Sequence, residues 1–203
     1  DDFFKKKNKG FYVDIGCYHP LMYNNTCLLF NKGWSGINID LNQTAIDLFK
    51  ILRPKDHNIC SAISNKIEES EIFFDHHFSP VNTLKENFYN SSDKRIAFKN
   101  LIKKKVITQT FDSIVKKIPN SPKIDFLNID CEGYDYTILE GFNLKKYSPK
   151  LVCVETHDAE GVPMDKYAAI MNLFKSNNYY YIDRFGPSSF FTSDTQLERG
   201  QMA

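Results

Sequence analysis

The sequence predicts an α/β fold: a mostly parallel sheet with helices on both faces and an antiparallel hairpin at the C-terminal end. Short apolar runs alternate with helical patterns along most of the 203 residues, which is typical of a parallel sheet. The runs within 123–133 and 149–158 are almost continuously apolar, as expected for central strands that are covered on both faces. Two aromatic runs then surround Gly186-Pro187 and predict the hairpin.

The stretch from Phe11 to Asp40 predicts the first strand, helix and strand of the sheet. Strands are expected at 11–15 and 36–40, with a helix over about 23–31 between them. This is the size of one βαβ unit, which forms a ligand crevice at the carboxyl ends of its strands.

Two acids, Asp14 and Asp40, belong to these strand ends. A carboxylate that closes the second strand suits the ribose hydroxyls of a nucleoside, because it can accept two hydroxyl protons at once. The alternative is that both acids only cap loops.

The glycine pattern separates two classes of nucleoside ligand. A dinucleotide site needs G-x-G-x-x-G so that the backbone can approach a pyrophosphate. Here Gly16 stands alone and is followed by the bulky residues Cys17, Tyr18 and His19. A nucleoside without phosphates fits better, and S-adenosylmethionine is the common one.

The remaining elements follow in chain order. A helix capped by Asn42 ends at Pro54, and a helix opened by Pro163 shows an amphipathic stripe. Strands are expected at 57–63, 67–75 and 105–110, with helical turns at 111–118 and 134–142 and hairpin strands at 178–185 and 188–193. A parallel sheet with such a hairpin is the shape expected of a class I methyltransferase.

Two further regions suggest ligand contacts. Ser61 and Ala62 are small residues near the end of the third strand, where they would leave space for an adenine ring. The loop 76–84 contains Asn82 and Thr83 in an otherwise aromatic stretch, and we expect it to select the substrate.

Composition places the chain among ordinary globular proteins. We expect one domain over 1–203, with a loose lead-in at 1–10 and a substrate-side insertion at 76–102. The formal net charge of +1 argues against nucleic acid as a partner, and no apolar stretch is long enough for a membrane span. Five cysteines in no zinc-binding pattern, with no secretory signal before them, indicate reduced thiols in the cytoplasm.

Several segments, taken in order, resemble the FkbM family of S-adenosylmethionine-dependent methyltransferases. These are DIGCYHP, NNT, GWSGINID, VNTL, IDFLNIDCEGYD, ILEG and PKLVCVE, which span about 11–155. The resemblance implies a Rossmann-like sheet of about seven strands, S-adenosylmethionine as cofactor, and O-methylation, often of sugars or natural products. It does not fix the acceptor, because a shared fold serves many substrates.

The resemblance also implies roles for individual residues. Asp40 matches the ribose-binding acid, and Asp130 and Glu132 belong to the D-x-E-G after the fourth strand of the parallel sheet. Cys17 and Cys131 depart from the family's usual residues, but both are compact. The first cofactor loop and the segment after it are matched by Asp14, Gly16, Tyr18, His19, Pro20, Asn25 and Thr26.

A hydroxyl acceptor must lose its proton, and a nearby base typically contributes ~10²–10⁴-fold. We predict the carboxylate pair Asp130 and Glu132 as the base, with His157 as assistant and without a metal ion. Glu155 and His19 are the other candidates, His19 also as a substrate contact. Each has a structural alternative: holding the cofactor's amino group, capping a helix, pairing with a neighbour, or shaping a loop.

Two other functions remain open on the sequence alone. One is an oxidoreductase that binds NAD or a nucleotide sugar, against which the missing glycines count. The other is a nucleoside-binding module without catalysis. The acceptor and the oligomeric state are not determined by the sequence.

Overall fold

The computed structural model describes residues 2–74, 102–119 and 123–194. Its main sheet has seven strands in the order β3-β2-β1-β6-β7-β9-β8, and β4 and β5 form a separate antiparallel pair. The strands are β1 (Phe11–Ile15), β2 (Ser35–Asp40), β3 (His57–Cys60), β4 (Glu69–Phe74), β5 (Ile102–Ile107), β6 (Phe126–Ile129), β7 (Leu151–Glu155), β8 (Tyr180–Phe185) and β9 (Ser188–Thr192).

The helices connect the strands as the alternating pattern predicts. A 3-10 helix at Asp2–Phe4 precedes α1 (Cys27–Asn31), α2 (Gln43–Leu52), α3 (Phe111–Val115), α4 (Asp135–Gly141), α5 (Leu144–Tyr147) and α6 (Tyr167–Ser176). Strands β3, β2, β1, β6 and β7 are parallel, while β9 is antiparallel to β7 and to β8. The predicted α/β fold and the C-terminal hairpin are therefore confirmed.

Several boundaries differ from the predicted ones for local reasons. α1 begins at Cys27 rather than near Tyr23, because Tyr23 has a φ of 49° and cannot lie in a helix. β3 ends at Cys60, since Ile63 already forms a bridge to Gln109 beside the other β pair. α6 begins at Tyr167 because Pro163 is engaged in a bridge with His157.

One face of the sheet packs against an apolar core. Alternate residues of the central strands, among them Val13, Ile37 and Leu127, are completely buried there together with residues of α3, α4 and α6. The ring of Phe174 on α6 stacks on Phe191 of β9 with centroids 3.8 Å apart. This packing fixes the sheet on which the site is built.

The opposite face is partly covered by the N-terminal segment. Phe4 is buried and packs edge-on against Trp34 with ring centroids 4.8 Å apart. Lys7 forms an ion pair with Asp125, and the Trp34 Nε1 donates to the Lys7 carbonyl at 3.3 Å. The lead-in that the polar sequence predicts to be loose is thus held against the sheet.

α2 follows its predicted pattern closely. The Asn42 side chain accepts from the Thr44 amide at 2.9 Å and from the Ala45 amide at 3.4 Å, as an N-cap should. Ile46 and Phe49 are buried, whereas Leu52 is 43% exposed at the end of the helix. α2 leads directly to Arg53, which becomes important below.

Most of the predicted insertion 76–102, including Asn82 and Thr83, lies outside the described residues. The five cysteines are all free, and Cys60 is exposed rather than buried. Among the helices that the structure describes, none combines the length and apolar character needed to cross a membrane.

Candidate functional site

Four residues stand level with one another at the carboxyl edge of the parallel sheet: Asp40, Gly16, Asp130 and Glu155. Each is placed there by the registers of the neighbouring strands, which pair Ile15 with Ile39, Ile15 with Ile129 and Ile129 with Val154. The preceding residues point into the apolar core, so we place the side chains of this row on the other face. We call these four residues the edge row.

Gly16 is the one residue of the edge row without a side chain, and it leaves a gap between Asp40 and Asp130. Its φ is +82°, and an ideal Cβ at this position would lie 1.8 Å from the Asp130 carbonyl oxygen. Its amide donates to the Ile39 carbonyl at 2.9 Å, so the chain leaves β1 between β2 and β6. Only glycine permits both this conformation and this close approach.

Asp40 closes β2 at the carboxyl edge of the sheet, as predicted. Its two carboxylate oxygens accept from the Tyr18 amide and the Asn42 amide, each at 2.8 Å. Burial raises the pKa of Asp40 to about 6, and the backbone amides oppose this shift. A carboxylate has about four acceptor sites, so these two bonds leave capacity for ribose hydroxyls.

Asp14 and Thr26 lie beneath the site rather than on its surface, because neither side chain is exposed. Asp14 accepts from Thr26 at 2.8 Å, from Asn24 at 3.0 Å and from Asn128 at 2.9 Å. Both side chains hold the loop that follows β1, and their predicted contact with the cofactor stays a prediction. Burial raises the pKa of Asp14, and these hydrogen bonds oppose the shift.

Asn25 and His19 shape the same loop. The Asn25 side-chain amide Nδ2 donates to the side-chain oxygen Oδ1 of Asn128 at 3.0 Å. The His19 Nδ1 accepts from the amides of Leu21 and Met22, each at 3.1 Å. His19 therefore caps a turn through one ring nitrogen, which is the structural alternative to its predicted role as base or substrate contact.

Arg53 is a buried residue behind the site that no pattern in the sequence marks. It is completely buried and donates to Thr26 at 2.8 Å and to Asn24 at 2.9 Å, and also to the Pro20 carbonyl. Its guanidinium lies between the rings of Phe30 and Phe49, 4.8 and 4.9 Å from their centroids. The end of α2 thus clamps the loop after β1 in place.

A second buried acid completes this polar layer. Asp56 accepts from Tyr12, from the Gly36 amide at 3.0 Å and from Asn38 at 3.0 Å. Arg53 reaches Tyr12 at 3.2 Å and so joins both acids in one network. No local signal in the sequence marks these residues, because their partners are distant along the chain.

The D-x-E-G turn after β6 is held by Asp135. Its carboxylate accepts from the Cys131 amide at 2.9 Å and from the Gly133 amide at 3.0 Å. Glu132 sits inside this turn with a φ of +50°. Because Glu132 lies in this turn, it is outside the edge row. The strand register therefore does not place Glu132 next to Asp130.

His157 is built into the C-terminal part of the sheet. Its Nδ1 lies 2.7 Å from the Thr156 hydroxyl, and its ring packs edge-on against Tyr167 at 5.2 Å between centroids. Desolvation, followed by the charge of Arg184, lowers its pKa. These contacts tie His157 to α6 and the hairpin; its predicted assistance to Asp130 and Glu132 stays a prediction.

The predicted adenine residues line a cavity of about 640 Å³. The Ser61 amide donates to the Asp40 carbonyl at 2.9 Å, which brings this cavity next to the acid of β2. Its other walls are mainly apolar side chains of β3, β4, β5, α3 and the segments after β2 and α3: Leu41, Ile59, Ile72, Val106, Ile114 and Ile118. A flat apolar base suits such a cavity.

Within residues 2–74, 102–119 and 123–194, no group of three or more His, Cys, Asp or Glu side chains is arranged to hold a metal ion. The carboxylates of the edge row are spread over adjacent strands instead.

The sheet order, the single glycine after β1 and the acid closing β2 define a Rossmann-like domain of the class I methyltransferase type. The chain belongs to the FkbM methyltransferase family, since residues 10–181 match the family model described as the methyltransferase FkbM domain. The resemblance seen in the sequence is thereby confirmed. No curated protein matches the chain.

A solved structure shows the same fold. The crystal structure of methyltransferase FkbM from Methylobacillus flagellatus KT superposes with a TM-score of 0.51 at 11% sequence identity. The match covers 91% of this chain and 44% of that chain. At this sequence identity, the similarity supports the same fold but does not indicate the substrate.

Proposed function

We propose that this protein is an S-adenosylmethionine-dependent O-methyltransferase whose acceptor is a hydroxyl of a small molecule, most simply a saccharide or glycoconjugate. The observation that carries the proposal is the edge row, in which an acid for ribose and two further carboxyls flank the gap at Gly16. Family membership supports the reaction class. The acceptor class follows from the resemblance alone.

The residues present fit the cofactor. Gly16 lets the chain turn tightly against the Asp130 carbonyl and places no side chain between Asp40 and Asp130 in the edge row. Asp40 keeps unused acceptor capacity next to a cavity of about 640 Å³. The carboxyls at the far end of the row suit a cation. When bound, S-adenosylmethionine supplies an electrophilic methyl group on a positively charged sulfur.

The protein's part is to orient and to accept a proton. Asp40 would hold the ribose, with Ser61 and Ala62 beside the base and the Gly16 and Tyr18 backbone beneath the nucleoside. Alignment of two reacting groups can supply ~7–11 kcal/mol in favourable cases. Asp130 stands two strands from Asp40 in the edge row, and in this proposal it accepts the proton of the acceptor hydroxyl.

Direct binding tests this proposal most economically. Calorimetry with S-adenosylmethionine, S-adenosylhomocysteine and NAD should show binding of the first two and none of NAD. Radiolabelled methyl transfer to a panel of saccharides and small hydroxylated molecules then tests turnover. The surface variant Asp47→Ala, on the exposed side of α2, serves as the matched control for Asp40→Ala.

Each alternative function has its own outcome in these experiments. Binding of NAD without binding of S-adenosylmethionine would make the protein an oxidoreductase. Tight binding of S-adenosylmethionine, with no transfer to any acceptor tried, would favour a nucleoside-binding module.

A further inference from the structure

Two carboxyls of the edge row differ from the other acids of this sheet edge. Asp14 accepts three hydrogen bonds from side chains, and Asp40 and Asp135 each accept two from backbone amides. Within the described part of the chain, the side chains of Asp130 and Glu155 accept none. Both residues are half-buried, so these two carboxyls, which have no protein donor among the described residues, still face the open edge of the sheet, where a ligand can reach them.

The strand register makes Asp130 and Glu155 neighbours. Ile129 of β6 pairs with Val154 of β7, so the next residues stand side by side on parallel strands about 4.8 Å apart. Ile129 and Val154 both point into the apolar core, which places the two carboxyls together on the opposite face. On its other side Glu155 pairs with Ser188 of β9, which brings no charge.

Among the described residues, the charges that act on this pair are those of other acids. Burial is the largest cause that raises the pKa of both acids. For Glu155 the next causes are the charges of Asp130, Asp135 and Glu132. For Asp130 they are the charges of Asp135, Asp14 and Asp40. Two adjacent carboxyls in such surroundings cannot both ionise easily, and pairs of this kind can hold one proton between them.

We propose that Asp130 and Glu155 form a carboxyl pair that holds one proton in the free protein and releases it when a sulfonium cation occupies the site. This inference rests on the proposed function and replaces Glu132 by Glu155 as the partner of Asp130. The positive charge of the ligand takes the place of the proton. The ionised pair then stands beside the acceptor hydroxyl.

Once the carboxyl pair has released its proton, it can accept the proton that the reaction produces. The acceptor oxygen forms its bond to the methyl carbon while the carbon–sulfur bond breaks, and that electron pair stays on sulfur. The hydroxyl proton passes to the ionised pair. Because the positive charge on sulfur disappears in the same step, the pair is again stable with one proton.

The experiment compares two ligands that differ in this one charge. S-adenosylmethionine carries a sulfonium, whereas S-adenosylhomocysteine carries a neutral thioether. Calorimetry of each ligand in two buffers with different ionisation enthalpies gives the protons released on binding. It is run slightly below neutral pH, where the amino groups of both ligands are protonated. We expect S-adenosylmethionine to release up to about one proton more than S-adenosylhomocysteine.

Variants assign the proton to the pair. Glu155→Gln should abolish the difference between the two ligands, while Glu132→Gln should keep it. A Glu155→Gln protein that keeps the wild-type difference, or a Glu132→Gln protein that loses it, would overturn the pairing. Equal proton release by both ligands in the wild type would overturn the exchange itself.

A spectroscopic measurement needs no variant. Infrared difference spectra of the wild type should lose a protonated carboxyl band on binding S-adenosylmethionine and keep it on binding S-adenosylhomocysteine. If the band persists with both ligands, the pair does not exchange its proton and the inference is wrong. If neither ligand binds, the proposed function itself fails and this inference fails with it.

Discussion

Arg53 and Thr26 are joined by a hydrogen bond of 2.8 Å from Nη1 to Oγ1, completely inside the protein. This bond connects the end of α2 with the loop that leaves β1. Since Thr26 also donates to Asp14 at 2.8 Å, the guanidinium, the hydroxyl and the carboxylate form one chain of contacts under the loop that follows β1. The geometry of the site therefore depends on a residue outside its surface.

Replacing Arg53 with Met should destabilise the protein by about 3 kcal/mol. Removal of one partner from a buried charged network leaves the others without a donor, which typically costs ~3–5 kcal/mol, and the Met side chain recovers part of this by packing against Phe30 and Phe49. Urea unfolding measures the change. Lys50→Met, which removes only an exposed i,i+3 ion pair with Asp47, should leave the stability almost unchanged. Equal losses in both variants would contradict the clamp.

Gly16→Ala should abolish nucleoside binding and strongly destabilise the fold. The added Cβ would lie 1.8 Å from the Asp130 carbonyl oxygen, a backbone atom that cannot move aside cheaply. Gly33→Ala is the matched control, since its φ of +89° is similar but nothing lies within 4 Å of its Cβ. We expect the control to cost about 1–2 kcal/mol from backbone strain alone and to bind normally. Thermal unfolding and calorimetry on both variants distinguish the effect of backbone strain from that of the steric clash with Asp130.

The sequence pattern marks some residues of the site and not others. Gly16 and Asp40 are marked by position, because each follows or closes an apolar run at a predictable strand end. Arg53 precedes Pro54 at the end of a helix. A basic residue there is usually exposed to solvent and interacts favourably with the helix dipole. The burial of Arg53 depends on Tyr12, 41 residues earlier, and on a loop whose path is set by Gly16. The place of Glu155 beside Asp130 likewise follows from strand order and register, which local periodicity does not contain.

Asp40→Asn should change both cofactor affinity and the pH dependence of stability. Loss of a charged acceptor should weaken S-adenosylmethionine binding by ~1.5–3 kcal/mol. The pKa of Asp40 is raised from 3.8 to about 6, so the folded protein binds this proton more tightly than the unfolded chain does. The stability that Asp40 contributes is therefore present at low pH and falls as pH rises through this range, by up to about 3 kcal/mol.

The Asn variant should lack this fall. Urea unfolding of both proteins between about pH 4 and pH 7 measures it, and the difference between their stability curves isolates Asp40. Parallel curves would show that the folded-state pKa of Asp40 is unshifted. Unchanged affinity in the folded variant would remove Asp40 from the ribose site.

Asn82→Ala combined with Thr83→Ala tests the predicted substrate loop. If the segment 76–84 selects the acceptor, methyl transfer should fall by at least tenfold while S-adenosylmethionine binding changes by less than about twofold. Steady-state kinetics and calorimetry on the same preparation give both quantities. Equal loss of transfer and of cofactor binding would assign these residues to the cofactor site instead.

Asp130→Asn should reduce turnover by ~10²-fold or more, as expected when a general base is lost. The sequence predicted the same loss for Glu132→Gln. The structure favours a smaller effect, below about tenfold, because Glu132 lies in the turn that Asp135 holds and outside the edge row. Turnover of the two variants on one identified acceptor decides between these expectations.

Chelation by EDTA tests the prediction that no metal ion takes part in the reaction, and it should leave turnover unchanged. Loss of activity with EDTA and its return with magnesium would make a metal ion, rather than Asp130 acting alone, responsible for acidifying the acceptor hydroxyl.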